Sequence, residues 1–218
     1  MYKAAIFDLD GTLAYTLEDL KTGMNEMLAI CSYPLCSTER ILENINGGAY
    51  EFVRRSLPVH LQDDKEEVDR CFAIYVECYS KHFKDQTCLY DGVADCIAAL
   101  SAAGMKMAVF SNKQHMHTTA LIEKLFPDNP FALVIGQGQF PHKPDPTGAL
   151  HIAAQFGVTP EEMIFVGDSN VDMTTARNAG MHPVGVTWGY RDRTVLAESG
   201  AEIICDTAEA LLRAAMQE

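Results

Sequence analysis

Four short segments of the 218-residue chain carry side chains suited to phosphoryl chemistry: Asp8-Leu9-Asp10-Gly11-Thr12, Ser111-Asn112, Lys143 within His142-Lys143-Pro144-Asp145-Pro146, and Gly167-Asp168-Ser169-Asn170 with Asp172 close behind. Three carboxylates crowded together repel one another, which favours a hard divalent cation bound through oxygen. Magnesium keeps several waters and takes one or two carboxylates plus a substrate phosphate oxygen, a description that Asp8 and Asp168 fit. An aspartate carboxylate can also attack phosphorus and form an aspartyl-phosphate. Asp10, two residues on, is placed to act as general acid for a leaving alcohol and then as base for water. Lys143 and the Ser111 hydroxyl suit the neutralising and positioning of phosphoryl oxygens, and Thr12 and Asn112 are expected to bind the same group. Gly11 lets the chain turn and bring backbone N–H groups close to it.

These segments need elements to carry them to one place. Ala4 to Phe7, Met107 to Phe110, Leu133 to Ile135, Met163 to Val166 and Val184 to Val186 are short apolar runs that read as buried strands. Between them Val93–Ala103, Met116–Leu125, Thr147–Phe156 and Met173–Ala179 are long enough for helices, with Gly104 and Gly180 where a left-handed C-cap belongs. Glu202–Cys205 adds an edge strand and Ala208–Met216 a final helix. Strands alternating with helices imply a parallel α/β sheet covered on both faces. Ligands bind at the carboxyl ends of such strands, and that is where all four segments fall.

One stretch breaks the alternation. From about Thr16 to Lys84 no strand is expected, only helical segments over Leu17–Ile30, Ser37–Asn44, Tyr50–Ser56 and Lys65–Phe83, with turns at Gly47-Gly48 and Pro58. The expected division is a catalytic core of residues 1–13 and 86–218, interrupted by a helical insertion of residues 14–85.

Composition limits the alternatives. Hydrophobic residues at 48% and charged residues at 22% describe an ordinary globular chain, and no run approaches the ~18 apolar residues of a membrane span. Met1-Tyr2-Lys3 and the short run after it reach Asp8 too soon for a signal peptide, so a cytoplasmic protein without membrane contact is expected. Seven cysteines with no C-x-x-C pair give no support to zinc or redox use, and most are expected to be buried thiols. The net charge of −13 argues against a nucleic-acid partner, but not against a small phosphorylated metabolite, because a few cations can reverse the field inside one cleft. A monomer or a homodimer is expected.

Other residues invite a function and have an ordinary explanation. Asp172 either orients a metal site or is an acid at a helix N-terminus. Arg54 and Arg55 either read a substrate or are solvated helix arginines. His115 and His117 begin a helix at a spacing that does not bring them face to face, and are expected at the surface. Gly136-Gln137-Gly138 lacks the rest of a dinucleotide fingerprint and reads as a loop. Trp188-Gly189-Tyr190-Arg191 is expected beside the mouth of the site, although packing alone explains its aromatics.

In order and spacing, Asp8-Leu9-Asp10-Gly11-Thr12, Ser111-Asn112, Lys143 and Gly167-Asp168-Ser169 resemble the four motifs of the haloacid dehalogenase superfamily. The resemblance implies a Rossmann-like core with Asp8 as nucleophile and Asp10 as acid and base. It also implies magnesium (Mg2+) held by Asp8, the main-chain carbonyl of Asp10 and Asp168, and a mobile α-helical cap formed by the insertion. The second aspartate, Asp10, sets the chain apart from dehalogenases and phosphonatases, and the stretch from Ser111 to Lys143 is too short for a second cap. Gly47-Gly48 and Arg54-Arg55 are similar to phosphoglycolate phosphatases, whereas Ala14-Tyr15-Thr16 departs from their usual acidic or Ser/Thr continuation. The reading implied is a magnesium-dependent phosphatase for phosphoglycolate, a sugar phosphate or a nucleotide. The alternatives are a phosphomutase resembling β-phosphoglucomutase and a non-catalytic binding protein that keeps the fold.

Overall fold

The structure, a computed structural model, describes residues 2–45 and 47–217. The chain forms two compact units, residues 1–15 with 88–218, and residues 16–87. The first unit is built on a parallel six-stranded sheet: β1 (Ala4–Phe7), β4 (Lys106–Gln114), β5 (Leu133–Gln137), β6 (Met163–Gly167), β7 (His182–Val186) and β8 (Ile203–Cys205). The strand order is β5-β4-β1-β6-β7-β8. The chain winds outward through β4 and β5, crosses back over the sheet, and resumes on the other side of β1 at β6. That reversal leaves β1 central, with Phe7 aligned to Val109 on one side and Val166 on the other. The residues that follow β1, β4 and β6 therefore leave the sheet side by side.

Every residue of β1 is fully buried, as a strand covered on both faces must be. Helices α7 (Thr147–Phe156) and α8 (Asn170–Ala179) pack on the face carrying Ala4, Ile6, Ala108, Phe110 and Phe165. Burying each such phenylalanine contributes about 1.5–3 kcal/mol. Phe7 points the other way and meets Phe131 edge to face at 6.2 Å. Helices α5 (Val93–Ala102), α6 (His115–Leu125), α9 (Arg193–Glu198) and α10 (Ala208–Met216) complete the unit. Gly180 caps α8 in the left-handed conformation, φ 71°, which only glycine adopts without penalty.

Two features differ from the sequence reading. β4 runs to Gln114 rather than stopping at Phe110, with its register against β5 shifting between those two residues. In addition, β2 (Ala14–Tyr15) and β3 (Cys88–Leu89) form a short antiparallel ribbon, Ala14 facing Leu89 and Tyr15 facing Cys88. The Tyr15 and Tyr90 rings meet edge to face at 6.0 Å. The ribbon holds the departing and returning chain within the first unit, so each junction between units falls two residues later than the expected 13/14 and 85/86. Two-residue strands have no periodicity from which they could be read.

The second unit contains α1 (Leu17–Ile30), α2 (Thr38–Asn44), α3 (Ala49–Ser56) and α4 (Lys65–His82). Buried Asp19, in the first turn of α1, accepts from the backbone N–H of Gln86 (2.9 Å) and of Thr87 (2.9 Å), and from the Thr87 hydroxyl (2.7 Å). The start and end of this unit are thereby clasped together. Among the described residues no helix is long and apolar enough to cross a membrane.

Candidate active site

Asp8 directly follows β1, its N–H bonded to the carbonyl of Val166 (3.0 Å). The chain then turns around the Leu9 carbonyl, which accepts from the N–H groups of Thr12, Leu13 and Ala14. The tight turn sets Asp8 at the sheet edge, only 9% exposed, with Asp10 beyond it. One carboxylate oxygen each from Asp8, Asp168 and Asp172 lie within 4.8 Å of one another.

One cation stands inside this cluster. Lys143 is 3% exposed, and its ammonium lies 2.6 Å from Asp172 Oδ1 and 3.0 Å from Asp8 Oδ1. It also lies over the rings of Phe110 and Phe165, at 5.9 and 5.6 Å from their centroids. The main chain of Lys143 is held by Asn112, whose side-chain amide donates to the Lys143 carbonyl (3.1 Å) and whose Oδ1 accepts from the Lys143 N–H (2.8 Å). The Asn112 side chain is thus engaged in setting the lysine loop.

Asp172 is an acid at a helix N-terminus, and it also holds Lys143. It is the third residue of α8 and forms a capping box with Ser169, accepting on Oδ2 from the Ser169 N–H (3.1 Å) and hydroxyl (2.6 Å). Its other oxygen binds Lys143. Asp168 is equally constrained: Oδ1 accepts from the Thr12 hydroxyl (3.2 Å) and Oδ2 from the Tyr190 N–H (2.7 Å). Trp188 Nε1 donates to the Thr12 carbonyl (3.0 Å). The Trp188–Tyr190 segment, expected only beside the mouth, is therefore part of the frame that holds Asp168. A Cβ on either Gly11 or Gly189 would collide with the Asp168 carboxylate.

Sequence reasoning passed over Lys113. This buried residue binds both oxygens of Asp10, at 2.8 and 2.9 Å. Its neighbour Ser111 is buried with its hydroxyl oxygen accepting from the Lys113 N–H (3.3 Å). The available signal was Lys113 itself, two residues beyond Ser111 and so on the same side of an extended strand.

The electrostatics follow from burial. Desolvation pushes the Asp8 carboxyl up to about 6; Lys143 opposes the rise, while Asp172 and Asp10 add to it. Asp168 is raised well above the usual carboxylate range, by burial first and then by Asp172 and Asp8. Burial alone would lower Lys143, but Asp172 and Asp8 outweigh it and hold the ammonium protonated. Asp8 Oδ1, although ion-paired with Lys143, receives no aligned hydrogen bond. Three buried carboxylates against one ammonium, all offering oxygen, fit a hard divalent cation. Asp10 is not among the clustered carboxylates, its side chain being turned onto Lys113.

The histidines and the Gly136-Gln137 pair are placed differently from expectation. His117 is buried on the inner side of α6, and His115 Nδ1 accepts from the Gly136 N–H (3.3 Å). Gly136 and Gln137 end β5 rather than lying in a loop. Arg54 and Arg55 both pair with Glu51 on their own helix, at 2.9 and 3.5 Å.

Sheet-edge aspartates around a sequestered lysine suit phosphoryl transfer from a monoester. Residues 5–186 match the haloacid dehalogenase-like hydrolases, and the chain belongs to that family. It is 32% identical to phosphoglycolate phosphatase 1 of Pseudomonas aeruginosa, covering 99% of this chain and 80% of that protein. It is 34% identical to a phosphoglycolate phosphatase of Thiobacillus denitrificans, covering 96% and 94%. Among solved structures it is similar to one from Lactobacillus delbrueckii subsp. bulgaricus, provisionally designated a phosphoglycolate phosphatase, with a TM-score of 0.92, 30% identity and coverage of 100% and 99%.

Proposed function

We propose that the protein is a magnesium-dependent phosphatase that transfers the phosphoryl group of a small phosphate monoester onto Asp8 and then to water. The observation that carries this reading is the chain Asp8–Lys143–Asp172: a nearly buried carboxylate at the end of the central strand, 3.0 Å from an ammonium that a fully buried aspartate anchors at 2.6 Å. Lys143 neutralises phosphoryl charge beside the attacking oxygen, in a site where water does not screen it.

In the first step an Asp8 oxygen bonds to phosphorus while the ester P–O bond breaks, and Asp10 gives its proton to the departing alkoxide. In the second, Asp10 takes a proton from water as that water's oxygen bonds to phosphorus and the Asp8–phosphate bond breaks, leaving inorganic phosphate and free Asp8. The Ser111 hydroxyl orients the phosphoryl oxygens, while the N–H groups from Gly11 to Ala14 donate within the turn that sets Asp8. Thr12 and Asn112 act through others, Thr12 fixing Asp168 and Asn112 fixing Lys143. Magnesium, held by Asp8, the main-chain carbonyl of Asp10 and Asp168, supplies charge neutralisation when bound. The helical unit serves as the cap that reads the rest of the ester. The names of the relatives make phosphoglycolate the first ester to try.

Mass spectrometry of acid-quenched variants tests the mechanism. Asp10→Asn, given p-nitrophenyl phosphate, is expected to accumulate phosphate on Asp8, because that leaving group needs little protonation whereas hydrolysis still needs the base. Asp8→Asn should form no phosphoenzyme and show no turnover. Phosphate on another residue would refute Asp8 as nucleophile, and a bisphosphate product in place of released phosphate would make the enzyme a mutase.

A further inference from the structure

We infer that Lys113 is a positioning residue for Asp10, holding the carboxyl group at the angle from which, protonated, it gives its proton to the leaving oxygen and then, as carboxylate, takes one from water. The inference rests on the role proposed above for Asp10. Its observation is separate: the Lys113 side chain is 4% exposed, and its ammonium lies within 2.9 Å of both Asp10 oxygens. Surface pairs of this kind contribute little because two long side chains must be ordered against solvent screening. Here burial removes much of the screening, and the surrounding structure has already ordered the lysine.

The main chain beneath Lys113 is fixed at three points. Its N–H donates to Ser111 Oγ (3.3 Å) and its carbonyl accepts from the Thr118 hydroxyl (3.2 Å). Gly136 on the adjacent strand packs so closely that a Cβ there would meet the Lys113 carbonyl oxygen at 2.8 Å. This anchoring occurs where β4 continues past Phe110 with shifted register. Ser111 and Lys113 are both buried within this irregular stretch of the strand.

The two lysines thus divide the carboxylates between them. Lys143 serves Asp8 and Asp172, and Lys113 serves Asp10. An acid and base that acts twice on atoms in different places gains from a fixed pivot. A displacement of ~1 Å at a reacting group costs on the order of 10²-fold in rate. Asp10, on a tight turn with a side chain 20% exposed, has Lys113 as that pivot.

The experiment compares Lys113→Met and Lys113→Arg in the wild-type and Asp10→Asn backgrounds, using p-nitrophenyl phosphate and phenyl phosphate. In the wild-type background Lys113→Met should lower kcat by roughly 10–100-fold, with KM within about threefold. The loss should be larger for phenyl phosphate, whose leaving group needs its proton more. Lys113→Arg should recover most of the rate, and in the Asp10→Asn background Lys113→Met should add no further loss. Independent losses that multiply, or equal losses on both esters, would overturn the inference. If Asp10→Asn itself keeps full turnover, the proposed role of Asp10 fails. If Asp10→Asn loses turnover while Lys113→Met keeps it, only the positioning role fails. Should Lys113→Met not fold, Lys113→Gln carries the same comparison.

Discussion

Lys143 and Asp172 meet at 2.6 Å with neither side chain more than 2% exposed, and this contact joins the loop after β5 to the first turn of α8. Breaking a buried pair leaves a charge without compensation, which costs more than the intact pair contributes. The consequences differ for the two partners, since Lys143 has Asp8 as a second counter-charge.

Replacing Asp172 by Asn keeps the volume and a partner for Ser169 but removes the charge that fixes the ammonium. Activity is expected to fall about 10–100-fold, the range for groups that orient residues at metal sites. Lys143→Met leaves three clustered carboxylates without their cation. It is expected to abolish turnover and destabilise the metal-free protein by about 3–5 kcal/mol. Urea unfolding with and without magnesium checks this, the stability deficit shrinking when the metal is present. A Lys143→Met protein as stable as wild type without metal would refute the account.

A second expectation concerns the frame of Asp168. In Gly189→Ala the new Cβ collides with the Asp168 carboxylate and the Gly11 carbonyl. Because both carboxylate oxygens are already bonded, Asp168 cannot shift without giving up the Thr12 hydroxyl or the Tyr190 N–H. Overpacking of this kind costs about 1–3 kcal/mol, and the magnesium concentration for half-maximal activity should rise at least tenfold. Gly104→Ala is the control: φ is +79° and nothing lies within 4 Å of the added Cβ. It should cost about 1–2 kcal/mol of backbone strain and leave the magnesium requirement unchanged. Equal magnesium requirements in both variants would separate Gly189 from the metal site.

Short apolar runs made the central strands legible, and polar residues beyond their ends made Asp8, Asp10, Lys143 and Asp168 legible as a group. Thr12 and Asn112 were visible as site residues, but not the direction of their bonds, because a side chain's partner depends on which loops meet in space. Lys113 escaped because a lysine next to a motif looks like a solvated one until β4 is seen to continue beyond Phe110. The Asp19 clasp spans 67 and 68 residues of sequence, and no local pattern announces such a contact. His117 was misplaced for a related reason: helical spacing shows which residues share a face, and tertiary packing decides whether that face is covered.

The Asp19 clasp gives a stability prediction for the helical unit. Asp19→Ala would leave the buried Thr87 N–H and hydroxyl without their acceptor. Hydrogen bonds to charged groups contribute about 1.5–3 kcal/mol, and an orphaned buried donor adds its own cost. A loss of about 3 kcal/mol is therefore expected, with Asp19→Asn intermediate because it keeps one acceptor oxygen. Hydrogen exchange should show the amides of Gln86 and Thr87 losing protection before those of β1. Unchanged protection there would mean that the clasp contributes nothing.

The buried carboxylates make a pH prediction whose sign differs from the usual acidic residue. The Asp8 carboxyl is raised from 3.8 to about 6 in the folded protein. Between those values the native state holds more protons than the unfolded chain, so stability falls as pH rises through roughly 4 to 6. A shift of about two units corresponds to roughly 3 kcal/mol, complete above pH 6. The rise at Asp168 acts in the same direction. Asp8→Asn has nothing to ionise at that position and relieves its neighbours. In metal-free buffer its stability relative to wild type should therefore improve from pH 4 to pH 6 and level off above. Saturating magnesium should remove or reverse that gain, because the cation stabilises the ionised form that burial penalises. Denaturant unfolding of both proteins at pH 4, 5, 6 and 7.5, stripped of metal and then loaded, measures the difference directly. A difference that is flat with pH would show that Asp8 ionises in the folded protein as readily as it does in water, and one that favours the variant most at pH 4 would show that it ionises more readily; either refutes the prediction.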